Sequence, residues 1–160
     1  MSIHPTAFIH PLADVESGAT IGAYTKIWRW SHIMPGAVIG KDCVIGEHCY
    51  IATDVVVGDH CHIQNGVNLY DGVRLGNSIF FGPNATTTNV KFPRSHRKGK
   101  FEETIFKDNC TIGAGCVIIC GVTIEEWVMV GANSIVTKSL PPGVTAFGNP
   151  ATVKRTKTKG

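Results

Sequence analysis

Charge, aromatic side chains and long apolar runs are all scarce in this 160-residue chain. Charged residues make up 17%, aromatics 8%, and the formal net charge is only +3. So small a charge, with no basic stripe, speaks against nucleic acid as a partner. No segment approaches the roughly 20 apolar residues of a spanning helix, so no membrane role is expected. Met1 to Ala13 holds Pro5 and Pro11 and no continuous apolar stretch. A secretory signal is therefore not expected, and a soluble cytoplasmic protein is. What is present is turn chemistry: Gly 18 and Pro 8 among many short apolar stretches, the composition of an all-β protein. The length suits one domain, 1–160, with its own core.

The strongest signal is a beat of six. Ile9, Val15, Ile21, Ile27, Ile33, Ile39, Ile45, Ile51, Val57, Ile63, Leu69, Leu75 and Phe81 recur at six-residue spacing. The beat resumes one residue out of phase as Phe106, Ile112, Ile118, Ile124, Val130 and Val136. Helices repeat at 3.6 residues and simple strands at 2, so neither accounts for six. A stacked parallel β-helix does, with one short strand and one bend per hexad. Three hexads close one coil, so residues about 18 apart stack at about the 4.8 Å strand spacing. Glycine often follows the beat, as at Gly22, Gly40, Gly46 and Gly58, where it is expected to permit the bend.

The cysteines follow the same phase. Cys43, Cys49, Cys61, Cys110 and Cys116 each lie two residues before a beat, where other coils carry Ala19, Thr25 or Ser31. The position calls for a small inward side chain, and cysteine serves there as a small hydrophobe rather than a metal ligand or disulfide partner. Cys120 is off this phase.

Between the beats at Thr87 and Phe106 lie 13 residues more than one hexad allows. The excess contains Lys91, Pro93, Arg94, His96, Arg97, Lys98 and Lys100, so a polar, basic loop at about 88–105 is expected to leave the coil. Loops on rigid scaffolds disproportionately carry function. After Val136, Pro141 and Pro142 are expected to end strand pairing. The C-terminal segment 140–160 then closes on a basic, frayed tail containing Lys154, Arg155, Lys157 and Lys159.

Stacking arithmetic places side chains in columns. Asp71 should lie directly beneath Asn89, with Cys120 and Lys138 above. A second column holds Asn65, Pro83, Ala114 and Ala132, whose two alanines leave a shallow trough. A third holds Trp30, His48, Gly66 and Asn84, with Gly66 opening space above the aromatic pair. A ladder of stacked polar side chains is the competing reading for Asp71 and Asn89, and solvent exposure that for Lys138.

The repeated [Ile/Val/Leu]-Gly-x-x-small-x signature resembles the hexapeptide-repeat acyltransferases, from about Ile9 to Val136. That resemblance implies the left hand of the β-helix. Gly148-Asn149-Pro150-Ala151 resembles the coil-ending segment of members that use acyl-CoA. Asn65 to Asp71, Phe81-Gly-Pro-Asn84 and Thr88-Asn89-Val-Lys-Phe-Pro-Arg94-Ser look like bacterial N-acetyltransferases of nucleotide-linked 3-amino sugars. Two sub-groups fit. One uses dTDP-3-amino-3,6-dideoxyhexoses, which is favoured; the other uses UDP-2-acetamido-3-amino-uronic acids. Such enzymes prepare O-antigen or S-layer glycan precursors. The resemblance implies acetyl-CoA as co-substrate, no metal, and a homotrimer.

The stacked columns, residue chemistry and this resemblance together suggest site roles. Asn89 and Asp71 are expected to be catalytic. Asn65, Asn84, Arg94, Trp30 and His48 are expected to bind the sugar nucleotide. Ala114, Ala132, Lys138, Lys154 and Arg155 are expected to bind acetyl-CoA, the cations serving its phosphates. A sugar amine is weakly basic and partly neutral near pH 7, so a strong base is unnecessary. His96 reads as a surface residue rather than a base. Three rivals remain open: an O-acetyltransferase using His96, a γ-type carbonic anhydrase, and a non-catalytic scaffold. The anhydrase needs a closely spaced His pair; His60 and His62 flank a beat so that their side chains diverge.

Overall fold

The computed structural model describes residues 2–156. Two-residue strands dominate, and nearly all pair in parallel with strands one coil away. They assemble three sheets of seven, nine and seven strands around a common core, a left-handed β-solenoid of about 8 turns. The first sheet runs from Ser2–Ile3 to Thr123–Ile124, and the third from Asp14–Val15 to Ile135–Val136. The second starts at Phe8–Ile9. No helix is long and apolar enough to cross a membrane among the described residues.

The beat is the core. Ile27, Ile33, Ile45, Ile51, Ile63, Leu69, Phe81, Ile112 and Ile118 are fully buried. Phe81, in the second sheet, and Phe106, in the first, meet edge-on across the core at 5.2 Å between ring centres. Thr87 is a polar beat, also buried; its Oγ1 accepts the Tyr70 N–H at 2.9 Å, so it costs the core no unsatisfied group.

Two sequence-based reasons need correcting. Glycine after the beat does not serve the bend. Left-handed backbone falls two residues later, at Tyr24, Trp30, Asp42, His48 and Asn84, with φ of 54–61°. A Cβ on Gly22 would instead lie 2.5 Å from the Gly40 backbone, so close coil stacking is what demands glycine. The cysteines are more than small hydrophobes. The Cys43, Cys49, Cys61, Cys110 and Cys116 thiols each donate to a carbonyl 15 residues on, as Thr25 and Ser31 do with their hydroxyls. Burial pushes the Cys49 and Cys116 thiols up, and the Cys110 thiol to about 11. Cys120 is buried too.

The C-terminus also differs. Pro141 and Pro142 do not end strand pairing. They sit in a turn, before a strand Val144–Gly148 that joins Met129–Val130 in parallel. No ladder N–H is lost there. Ala151–Thr156 then pairs antiparallel with Val144–Gly148, so Lys154 and Arg155 lie in a strand rather than a frayed tail. Lys157 and Lys159 lie outside the described residues.

Candidate functional site

The corner between the third and first sheets carries the Asp71–Asn89 pair. Register across the interruption is Thr87 to Ile118, then Ile118 to Val136, which puts Asn89, Cys120 and Lys138 in one column. Asn89 Nδ2 donates to Asp71 Oδ2 at 3.0 Å, and both residues are half-buried. Because the Asn89 NH2 group is turned to Asp71, its carbonyl oxygen is the end left to accept from a ligand. The column is interrupted above: Cys120 is buried, while Lys138 is exposed.

The loop hangs from this pair. The Asn89 carbonyl accepts the Glu102 N–H at 2.9 Å, closing the loop mouth. Thr104 N–H bonds Gly72 O at 3.0 Å, and Thr104 Oγ1 accepts the Gly121 N–H at 3.2 Å. The Glu102 carboxylate fills the space a Cβ on Gly121 would need, and its carbonyl lies 2.8 Å from a Cβ on Gly72. Those two glycines, at φ 83° and 85°, let the returning chain press onto the corner. Thr104–Phe106 is already a strand, so the loop ends before the expected 105. Residues 91–100 are all exposed, Arg94 and His96 among them.

Cavities open on both sides of the pair. Beneath the loop, about 340 Å³ is lined by Thr53, Asp54, Asp71, Gly72, Arg74, Phe101 and Glu103. On the third sheet, another of about 340 Å³ is lined by Tyr70, Thr86–Thr88, Asn89, Val90 and Pro93. Asp71 thus borders one and Asn89 the other. Tyr50 and Tyr70 meet at 5.3 Å on the approach. Burial first, and the Asp71 charge second, push the Tyr50 phenol up, so it stays protonated.

The remaining residues expected to bind substrates lie elsewhere. At the corner between the second and third sheets, Trp30 stacks on His48 at 4.7 Å, and the Arg29 guanidinium lies 5.4 Å from the Trp30 ring. Gly66 does not open space there: the Asn84 carboxamide oxygen occupies the place of its missing Cβ. Asn65 Oδ1 accepts the Glu47 N–H at 2.9 Å, so that oxygen is engaged by the fold. Above, Pro83, Asn84, Ala114, Gly115, Ala132 and Asn133 line a groove of about 350 Å³, the trough expected from the stacked alanines. Lys138 follows the last strand of the third sheet, whereas Lys154 and Arg155 lie in the second sheet. Lys154 sits over the Phe147 ring at 5.3 Å. The three cations therefore form no single cluster within one chain.

Sequence reasoning missed Thr53, Asp54, Arg74, Phe101 and Glu103. Asp54 was reachable, since it lies 18 residues before Gly72 and so one coil below. Phe101 and Glu103 were hidden in the loop, whose path the beat does not describe. Among the described residues, no group of three or more His, Cys, Asp or Glu could hold a metal ion.

The pattern described as "Bacterial transferase hexapeptide (six repeats)" matches residues 31–58 and 103–138. A dTDP-3-amino-3,6-dideoxy-alpha-D-galactopyranose 3-N-acetyltransferase of Aneurinibacillus thermoaerophilus is 44% identical over 150 residues, 93% of this chain and 78% of that protein. A galactoside O-acetyltransferase of Lactococcus lactis is 33% identical over 73% of this chain and 61% of its own length. An N-acyltransferase from Bacillus cereus, solved with dTDP and coenzyme A, superposes with a TM-score of 0.60 at 20% identity over 99% of this chain and 85% of that one. The acetyltransferase domain of PglB from Neisseria gonorrhoeae, solved with acetyl coenzyme A, gives 0.61 at 19% identity over 93% of this chain and 58% of that one.

Proposed function

Because the chain belongs to the hexapeptide-repeat acyltransferases, we propose that it transfers the acetyl group of acetyl-CoA to the 3-amino group of a nucleotide-linked sugar. A dTDP-3-amino-3,6-dideoxyhexose is the acceptor class, as in the Aneurinibacillus relative. The observation that carries the reading is the Asn89–Asp71 hydrogen bond of 3.0 Å between two cavities at the root of the loop.

The chemistry follows from that pair. The neutral amine donates to the outward Asn89 carbonyl oxygen, which aims its lone pair at the thioester carbon. The C–N bond forms, and backbone N–H groups at a bend stabilise the oxyanion. The C–S bond then breaks. The amine proton passes to Asp71 or to the departing thiolate, giving the amide and free CoA. Trp30 and His48 supply an aromatic surface for the base, and the Ala114–Ala132 trough a path for the pantetheine arm. Lys138, Lys154 and Arg155 meet the CoA phosphates.

These groups occupy separate corners of one chain, and a homotrimer in which one subunit's corner faces its neighbour's third sheet brings them together. Exposed Trp28, Phe80 and Met129 support such burial. Activated sugars and acetyl-CoA fit a cytoplasmic site of action. The test is CoA release with a panel of 3-amino, 4-amino and 3-hydroxy nucleotide sugars, with mass spectrometry locating the acetyl group. Transfer to hydroxyls alone would replace this reading with the O-acetyltransferase one.

A further inference from the structure

The cavity beneath the loop has a lining suited to one kind of guest. Arg74 Nη1 donates to the Asp54 and Val73 carbonyls at 2.7 and 3.0 Å, which fixes the guanidinium on the cavity wall. Among the described residues no carboxylate lies within 4.0 Å of it. Phe101 hangs from the returning loop with 53% of its surface exposed, an aromatic face with no packing role in the core. Thr53 adds a hydroxyl, and Asp71 brings the reacting pair to the edge. An aromatic face, a fixed guanidinium, a hydroxyl and carboxylates match the alternating CH and OH surfaces of a pyranose. At about 340 Å³ the cavity lies at the small end of ligand pockets, which run from about 300 to 1,000 Å³. It holds one sugar ring and leaves the nucleotide outside.

Resting on the reaction proposed above, we infer that this cavity is the sugar subsite, with Phe101 and Arg74 as specificity-determining residues. Phe101 stacks on the ring and its 6-deoxy methyl group; Arg74 donates to a ring hydroxyl. The lining carries Asp54, Asp71 and Glu103 against the single cation Arg74. That balance favours a neutral deoxysugar bearing an amine and opposes a uronic acid, whose carboxylate would enter among like charges. The loop cations Lys91, Arg94, Arg97, Lys98 and Lys100 are exposed, do not line the cavity, and are screened by solvent.

Steady-state kinetics of Phe101→Ala, Phe101→Tyr and Arg74→Gln test this, with KM measured separately for acetyl-CoA and the dTDP-3-amino-3,6-dideoxyhexose. Phe101→Ala raises sugar KM about 3- to 10-fold, the worth of one aromatic contact, with acetyl-CoA KM unchanged. Phe101→Tyr restores it. Arg74→Gln raises sugar KM and, by removing the one cation of the lining, widens the preference over the UDP-linked uronic acid. Exposed Phe101 makes misfolding of its variants a small concern, and their melting temperatures are compared with wild type. Unchanged sugar KM in Phe101→Ala, a rise in acetyl-CoA KM instead, or a wild-type preference for the uronic acid overturns the subsite while leaving the reaction standing. Wild-type protein that acetylates no amino sugar removes the reaction, and the subsite with it.

Discussion

Replacing Asn89 by alanine removes the donor to Asp71 and the proposed acceptor for the amine in one step. The Asn89 backbone carbonyl keeps the Glu102 N–H at 2.9 Å, so the loop mouth stays closed and the fold is spared. A hydrogen bond to a charged group contributes about 1.5–3 kcal/mol. At about 1.4 kcal/mol per tenfold, loss of that positioning in the transition state lowers kcat about 10- to 10²-fold. The assay is CoA release under saturating acetyl-CoA, with the melting temperature followed in parallel. Asn89→Asp sharpens the test by setting two carboxylates about 3 Å apart, which raises the apparent pKa of the pair. Below that value the protonated member donates as asparagine does. The ratio of variant to wild-type kcat/KM therefore rises as pH falls. Unchanged kcat/KM in Asn89→Ala, or a pH-independent ratio in Asn89→Asp, would refute the reasoning.

Asp71→Asn separates the two proton routes: a fall in kcat of about 10²-fold with a moved acidic limb means the carboxylate takes the proton, and a change mainly in sugar KM means the thiolate does. Lys138→Ala and Arg155→Ala raise acetyl-CoA KM, more at low salt than at high, whereas Trp30→Ala raises sugar-nucleotide KM; the reverse pattern inverts the ligand assignment. Gly121→Ala introduces a Cβ at φ 83° against the Glu102 carboxylate, loosening the clamp on Asn89; kcat falls about tenfold while acetyl-CoA KM holds, and equal activity would remove the clamp from the mechanism. Cys110 is held neutral, its thiol pushed up by burial from 9.0 to about 11. Above pH 9 the unfolded chain has released that proton and the folded chain has not, so this contribution to stability is full below 9 and lost as pH rises to about 11. Melting temperature against pH, for wild type and Cys110→Ala, reads it as a smaller alkaline fall in the variant.

The fold was legible because the beat of six is imposed by the coil itself. Ile21 to Phe81 are buried where the period puts them, and the resumed phase from Phe106 gives the register across the loop. The Asp71–Asn89 contact was reachable by the same counting. Counting failed where side chains, rather than the period, decide geometry. The Asn84 oxygen fills the space over Gly66, and Asn65 is tied to the Glu47 backbone. It also failed where the chain leaves the coil, as with Phe101 on the loop and the strand Ala151–Thr156, whose antiparallel return no hexad records.

The most direct test is acetyl transfer itself. Purified protein, acetyl-CoA and a dTDP-3-amino-3,6-dideoxyhexose are incubated, and CoA release is measured alongside the mass and NMR spectrum of the sugar product. The account predicts one CoA released per sugar, with a single acetyl group on the 3-nitrogen. Acetyl on oxygen, or no turnover of any amino sugar by a folded protein, would contradict it.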